Sequence, residues 1–367
     1  MAINTPVYSI IYDKSLASDP EACLTYAGSC EGFTPMCNTG DMNCDEGSWA
    51  EGNGTIFDAI KVGYYYDSFT EQSKSVVTSS TINNFTKIPK IYQRVTDISD
   101  AKDNSKVRLD LSLEPFEGAS LHPSFIRDGS EINNLYIGRY LGSYDGLSLR
   151  STSSANPKTG LTRATFRQYA SDGGCTLLKY YDWDLVNKLY LLAFKNFDSQ
   201  TALGPGLTNG SITTTGGTDG GSWMCSKSMT GSASMCFLGI EDWWGHCCQY
   251  IDDFYGNGGV YYAGNNTTPT DDTANKTVIA SSDFTSSSAR HPLTCQGTAD
   301  GFFIGETSGG SNTTGLCDFQ YNDLGENLGF VGGKYNDGSL AGAFNLDAND
   351  ILTVSYAYVG ARLTYVD

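Results

Sequence analysis

Short runs of β-prone residues, each a few positions long, recur at 7–12, 60–66, 75–81 and 107–113, separated by Gly, Asn, Ser and Asp. That pattern predicts a small β-rich unit over residues 1–115. From Phe116 onward the texture changes. Leu135-Tyr-Ile-Gly-Arg-Tyr140 reads as a strand, and 176–197 is the one stretch with convincing helical spacing. There Leu178, Leu185, Leu189 and Leu192 recur at three-, four- and seven-residue steps, Val186 and Ala193 widen the stripe, and Asp182 or Asp184 is available as N-cap. Such a helix should pack on a sheet. The Gly/Ser/Thr/Asn/Asp-rich stretches 200–232 and 256–316 predict long loops. Between them, 235–255 is dense in aromatics and predicts a core segment. Near the end, Val359, Ala361, Leu363 and Tyr365 alternate with Gly360, Arg362 and Thr364, the period of a half-buried strand.

Composition narrows the partners. A chain of 367 residues allows one large domain or two smaller ones. With 23 Lys+Arg against 41 Asp+Glu, the net charge of −18 repels phosphate backbones and anionic membranes, so no nucleic-acid partner is expected. No eighteen apolar residues run together, and the opening residues lack a basic region, so neither membrane insertion nor a secretory signal is expected.

Familiar catalytic patterns are missing. The histidines His122, His246 and His291 lie outside any GxSxG context and read as structural. There is no GxGxxG opening a helix, no GxxxxGK[ST] and no HExxH. The densest acidic cluster, Glu241-Asp242 with Asp252-Asp253, offers carboxylates for a glycosidase or oxygens for Ca²⁺, but no EF-hand pattern accompanies it. Cys23, Cys30, Cys37 and Cys44 fall at a strict seven-residue interval among Gly28, Gly32, Pro35 and Gly40, breakers that exclude a helical heptad. Two readings stay open: a local zinc or disulfide knot, or loop cysteines with a chance period. The lack of CxxC spacing and of a nearby His weighs against zinc, and an oxidising exterior would favour disulfides. The vicinal Cys247-Cys248 reads as small apolar residues, one of which faces inward on a strand. No cofactor and no metal are expected.

Three blocks carry a resemblance. His122-Pro-Ser-Phe125 precedes Leu135-Tyr-Ile-Gly-Arg-Tyr140, with Lys87-Ile-Pro-Lys-Ile-Tyr92 upstream. Gly239-Ile-Glu-Asp-Trp-Trp-Gly245 and Tyr250-Ile-Asp-Asp253 follow the helix and Ser199-Gln-Thr-Ala-Leu-Gly204. Gly332-Gly-Lys-Tyr-Asn-Asp-Gly-Ser-Leu-Ala-Gly-Ala-Phe344 and Val359-Gly-Ala-Arg-Leu363 close the chain. Together they resemble the C-type-lectin-fold variable proteins of diversity-generating retroelements, found in phage and other virus tails and in some cellular surface proteins. The second block is similar to the family's Gly-Ile-Glu-Asn-x-x-Gly-Asn, with His246 where Asn is usual. The resemblance covers most of 80–367 and is weaker before residue 80.

The resemblance implies an α+β fold: a C-type lectin fold, akin to formylglycine-generating enzymes, over 116–367, behind the β-rich unit 1–115. It implies a variable region at about 329–363, where adenine-directed mutagenic reverse transcription rewrites selected codons inside a constant Gly-Gly, Ala-Gly-Ala-Phe and Gly-Ala-Arg-Leu frame. The implied ligand-binding positions are Lys334, Tyr335, Asn336, Asp337, Ser339, Leu340, Asn345, Asp347, Asn349, Asp350, Ile351, Ser355, Tyr356 and Tyr358. Their chemistry is that of antibody paratopes, in which Tyr gives rigid contact area and small polar residues adapt their hydrogen bonds. The expected function is non-enzymatic attachment to a host-surface protein or glycan from a virion tail tip, among other tail proteins, with a cell-surface setting as the alternative and a homo-oligomer among the expected states. Two other functions stay open: a formylglycine-generating type of enzyme using Cys295 and Cys317, and a Ca²⁺-dependent glycan lectin, against which the absence of Glu-Pro-Asn and Gln-Pro-Asp counts.

Overall fold

Alternating apolar and polar residues become strands where the pattern predicts them. Tyr8–Asp13, Lys61–Tyr65, Lys106–Ser112, Asn134–Leu141 and Arg362–Val366 are all strands. The computed structural model describes residues 5–36, 47–50, 52–65, 83–100, 105–281, 291–322 and 324–367. The expected strand at 75–81 lies outside them, as do Cys37 and Cys44.

Three sheets organise the chain. The first has the order Leu24–Gly28, Tyr8–Asp13, Lys106–Ser112, Tyr92–Asp97, Ser120–Leu121. Its register sets Ile10 against Leu109 and Tyr12 against Val107, all buried. The second has the order Thr176–Leu177, Arg362–Val366, Asn134–Leu141, Asn84–Pro89, Lys61–Tyr65. Strands from either side of residue 115 therefore share hydrogen bonds, and one apolar core runs from Tyr8 to Ala348. The third is built on Cys248–Asn257, the ten-residue strand inside the aromatic segment, which pairs with Val260–Ala263 and Glu326–Val331. Leu346–Asp350 follows on the far side of Glu326–Val331. Val359–Gly360 joins Cys248–Asn257 in parallel, so the Gly-Ala-Arg-Leu stretch links the second and third sheets.

Among the described residues there are three α-helices: α1 (Arg163–Asp172), α2 (Tyr180–Phe194) and the short α3 (Ser199–Ala202). The predicted helix is α2, with two corrections. Its N-cap is Lys179, whose N–H donates to Asp182 at 3.3 Å, so Asp182 and Asp184 lie inside the helix. All fifteen of its residues are buried, so it is enclosed on every side and does not rest one stripe on a sheet. Its leucines gain about 1.5–3 kcal/mol each from burial, but its polar residues need partners. Arg127 Nη2 donates to Asp182 at 2.8 Å, while His122 Nε2 and Lys188 Nζ meet Asp184 at 3.1 and 2.5 Å. His122 is thus structural, as expected.

Three further expectations are corrected. The stretches 200–232 and 256–316 contain short strands, including Val260–Ala263 and Thr277–Ser281, where β-branched and aromatic residues interrupt the polar sequence. Both Cys247 and Cys248 are buried, because the strand from Cys248 is covered on both faces. The final strand is buried on both faces through Thr364, with Arg362 at 0% exposure.

Candidate ligand-binding face

The residues expected to be constant in the last block lie inside. Ala341, Ala343, Phe344, Val359, Ala361 and Leu363 are each at most 1% exposed. Phe344 packs among Tyr190, Phe197 and Phe303, with ring centroids 4.9–5.6 Å apart. Asn187 of α2 ties the block to the aromatic segment: its Nδ2 donates to Ala343 O at 2.7 Å, and its Oδ1 accepts from Trp243 Nε1 at 2.9 Å. Backbone space is equally restricted. Gly333 has φ +72°, and a Cβ there would lie 2.6 Å from Ala341 Cβ. At Gly342 a Cβ would lie 2.0 Å from Oδ1 of the buried Asp318, whose Oδ2 accepts from Phe344 N at 2.8 Å. Gly342→Ala is therefore expected to destabilise by about 1–3 kcal/mol. Urea denaturation checks this, and an unchanged midpoint would contradict the tight packing described.

Arg362 holds the block to its surroundings. Nε donates to Gln249 Oε1 at 2.7 Å, Nη1 to the carbonyls of Gly138 and Arg139, and Nη2 to those of Glu241 and Asp242, all within 2.8–3.0 Å. Burial lowers its pKa to about 10. The neighbouring Glu241 accepts from Gly216 N, Thr218 N and Thr218 Oγ1, each at 2.7 Å, so it anchors a loop. Burial and then the Asp242 charge raise its carboxyl to about 7. His246 is structural too: Nδ1 meets Asp242 at 2.6 Å, and its carbonyl accepts from Tyr335 N at 3.1 Å.

Between these anchors the predicted binding positions reach solvent. Asn336, Ser339, Ile351 and Ser355 are exposed, and Lys334, Tyr335, Asp337, Leu340, Asp347, Asn349, Asp350, Tyr356 and Tyr358 are half-buried. Asn345 departs from the expectation. It is buried, and its Nδ2 donates to the carbonyls of Phe319 (3.1 Å) and Leu340 (3.0 Å), so it braces the loop.

Seven of the positions form one cluster. Tyr356 and Tyr358 stack with centroids 5.1 Å apart and an interplanar angle of 11°. Lys334 Nζ sits 4.9 Å from the Tyr358 centroid and is paired with Asp337. Tyr356 OH donates to Asp350 Oδ1 at 2.7 Å. With its nitrogen turned toward them, the Asn349 amide donates to Asp347 Oδ1 at 2.5 Å and Asp350 Oδ2 at 3.2 Å. Asn336 and Ser339 lie apart from this cluster, on a groove shared with Gln200, Thr208 and Met229. Tyr321 was missed by the sequence reading. It lies opposite Asp347 in a parallel pairing and stacks on Phe319 at 6.0 Å. Its signal was the alternation of Phe319 and Tyr321 with the buried Gln320 and Asn322.

The cluster offers a flat aromatic surface ringed by carboxylates and one ammonium, groups suited to stacking and hydrogen bonding. Burial, with the Asp350 charge second, raises the Asp347 carboxyl to about 7. The folded value lies above the unfolded one, so this term favours folding fully near pH 4 and is lost as pH rises through 7. Asp347→Asn should therefore be more stable than the parent by up to about 4 kcal/mol at pH 8 and close to it at and below pH 4. Urea denaturation at the two pH values checks this; equal stability at pH 8 would contradict an uncompensated carboxylate.

The other candidate groups are neutralised or enclosed. Arg167 Nη2 meets Asp252 at 2.5 Å, and Lys276 Nζ meets Asp253 at 3.1 Å. Cys295 and Cys317 are buried free thiols, and burial pushes both up, Cys295 to about 12. Cys23 and Cys30, half of the seven-residue series, are also buried free thiols.

No family profile matches the chain, and no curated protein matches it. Among solved structures it aligns with the Major Tropism Determinant U1 variant at 13% identity and TM-score 0.30, covering 84% of this chain and 71% of that one. The M1 variant aligns at 12% identity and TM-score 0.31 with the same coverage, and the P3c variant at 13% and 0.30, covering 100% of this chain and 73% of that one. TM-scores near 0.3 give these alignments no weight for function, and the family resemblance stands on the motifs at 122–140, 239–253 and 332–363.

Proposed function

We propose that this chain is a non-enzymatic receptor-binding protein of the viral tail type, and that residues 334–358 form its ligand-binding face, diversified by a retroelement. One observation carries the reading: Ala341, Ala343, Phe344, Ala361, Arg362 and Leu363 of the frame are buried to 1% or less, while thirteen of the fourteen positions expected to vary are exposed or half-buried. Side chains can change on such a face without disturbing the packing that holds it. The stacked Tyr356 and Tyr358 beside Asp347, Asn349 and Asp350 have the composition of a paratope. The partner is a host-surface protein or glycan, and several copies on one particle would turn modest affinities into avidity.

The enzymatic reading is disfavoured by burial, which leaves Cys295 and Cys317 as weak nucleophiles. The Ca²⁺-lectin reading is disfavoured at Asp252 and Asp253 by their cationic partners. The test is sequencing of this gene's 3′ end and flanking DNA across the source population. Substitutions concentrated at the thirteen accessible codons, matching adenines in a nearby near-copy beside a reverse-transcriptase gene, are expected. Invariant codons with no template copy would overturn diversification.

A further inference from the structure

A second feature lies in the small sheet formed by Cys225–Ser226, Met235–Phe237 and Ile240–Glu241. Its register sets Cys225 directly opposite Cys236 in an antiparallel pair. Two residues further along, Lys227 N donates to Ser234 O at 3.2 Å, which makes Cys225 and Cys236 a hydrogen-bonded pair of the ladder. Residues so placed have Cα atoms about 5.5 Å apart and side chains on the same face. Disulfides span Cα separations of about 4.4–6.8 Å, most often near this value. Both cysteines are fully buried, and their thiols lie within hydrogen-bonding reach of each other.

The surroundings favour the chemistry as well as the geometry. Arg139 Nη1 lies 3.9 Å from Cys236 Sγ. Burial works to raise the Cys236 thiol, but the Cys225 thiol and the Arg139 guanidinium outweigh it and hold it below its ordinary value. A thiolate is the attacking species in disulfide exchange. Cys236 also pairs with Glu241, whose carbonyl accepts from Arg362, so a covalent link here would brace the strand beside the central anchor of the binding face.

We propose that Cys225 and Cys236 form a disulfide in the mature protein, a covalent clip in the sheet that carries Glu241. The co-reactant is a low-molecular-weight disulfide. The Cys236 thiolate attacks one of its sulfurs, forming a mixed disulfide and expelling one small thiolate. The Cys225 sulfur, giving up its proton, then attacks the Cys236 sulfur and expels the second. The Cys236 thiolate and the Cys225 thiol are oxidised, the small disulfide is reduced to one thiolate and one thiol, and the Cys225 proton ends on the second leaving sulfur. The clip does not depend on the diversified-face reading.

The experiment refolds the full chain from denaturant in a buffer of reduced and oxidised glutathione, traps free thiols by alkylation and maps the peptides released by trypsin and chymotrypsin together, since Lys227 separates Cys225 from Cys236, and Trp243 and Trp244 separate Cys236 from Cys247 and Cys248. The expected product is a Cys225 peptide joined to a Cys236 peptide, with a melting temperature above that of the same protein after reduction. Cys225→Ser and Cys236→Ser should each abolish both signals. Alkylation of both cysteines in a buffer dominated by oxidised glutathione, or linkage of either to a different cysteine, would overturn the proposal. The parent's peptide map decides even if a variant fails to fold.

Discussion

Arg362→Ala is expected to cost at least about 3–5 kcal/mol, the range for breaking a buried charged network, and so to leave the protein largely unfolded at 25 °C if its stability is ordinary. The guanidinium makes five hydrogen bonds, four of them to backbone carbonyls of Gly138, Arg139, Glu241 and Asp242, and it is fully buried. Removing it takes one donor from each of those carbonyls in a place water does not reach, while the Asp242 carbonyl keeps a side-chain donor in Gln249 Nε2 at 3.1 Å. It also opens a cavity beside Trp243, whose ring lies 5.9 Å from the guanidinium carbon. Arg362→Lys should fall between, because an ammonium has three donors where five bonds exist and cannot reproduce the planar fork. Urea unfolding of the three proteins gives the ranking. A loss below about 1 kcal/mol for the alanine variant would show that Arg362 does not hold the proposed binding face in place.

Why Arg362 is so placed could not be read from spacing. The alternation from Val359 to Tyr365 identifies the strand correctly but assigns Arg362 and Thr364 to a solvent face. Arg362 is buried because a second layer, the Glu241–Asp242 turn, covers it, and Thr364 because it lies against Thr176–Leu177, donating to Leu177 O at 3.1 Å; both are long-range contacts that period-two patterning cannot register. The same reason explains α2. Its leucine stripe is legible, but Asp182, Asp184, Asn187 and Lys188 are polar residues paired in the interior, and their partners Arg127, His122, Gln93 and Trp243 lie far away in sequence. By contrast, Ala341, Ala343 and Phe344 were legible as inward-facing because small and aromatic residues between glycines leave few alternatives. Asn345 was misplaced because its neighbours on the surface share its composition. Its buried role is set by the carbonyls of Phe319 and Leu340, which only folding brings near. Tyr321 escaped notice because it enters the face by a parallel pairing with Asp347, 26 residues away.

The converse of the Arg362 result is expected on the face itself. Combined replacement of Tyr356, Tyr358 and Asp350 by alanine should leave the protein folded at a cost of about 2–3 kcal/mol, since the two half-buried rings pack on the apolar core, yet should weaken binding strongly. Central tyrosines of an interface are worth about 2 kcal/mol or more each when truncated, and about 1.4 kcal/mol is tenfold in affinity. A loss of at least about 100-fold is therefore expected for the triple variant. The measurement is saturation binding of labelled protein to cells of the source community, with Leu147→Ala as control. Leu147 is 79% exposed but lies outside the stretch proposed to vary, so its removal should leave binding unchanged. Asp350 is included because it accepts from Tyr356 OH and helps hold the stacked pair. If the triple variant keeps its fold and binds as the parent does, the receptor contacts lie elsewhere, and the diversified positions cannot be the recognition surface. If it loses binding while Arg362→Ala loses the fold, stability and recognition are carried by different residues of one stretch, which is the property a diversified face requires.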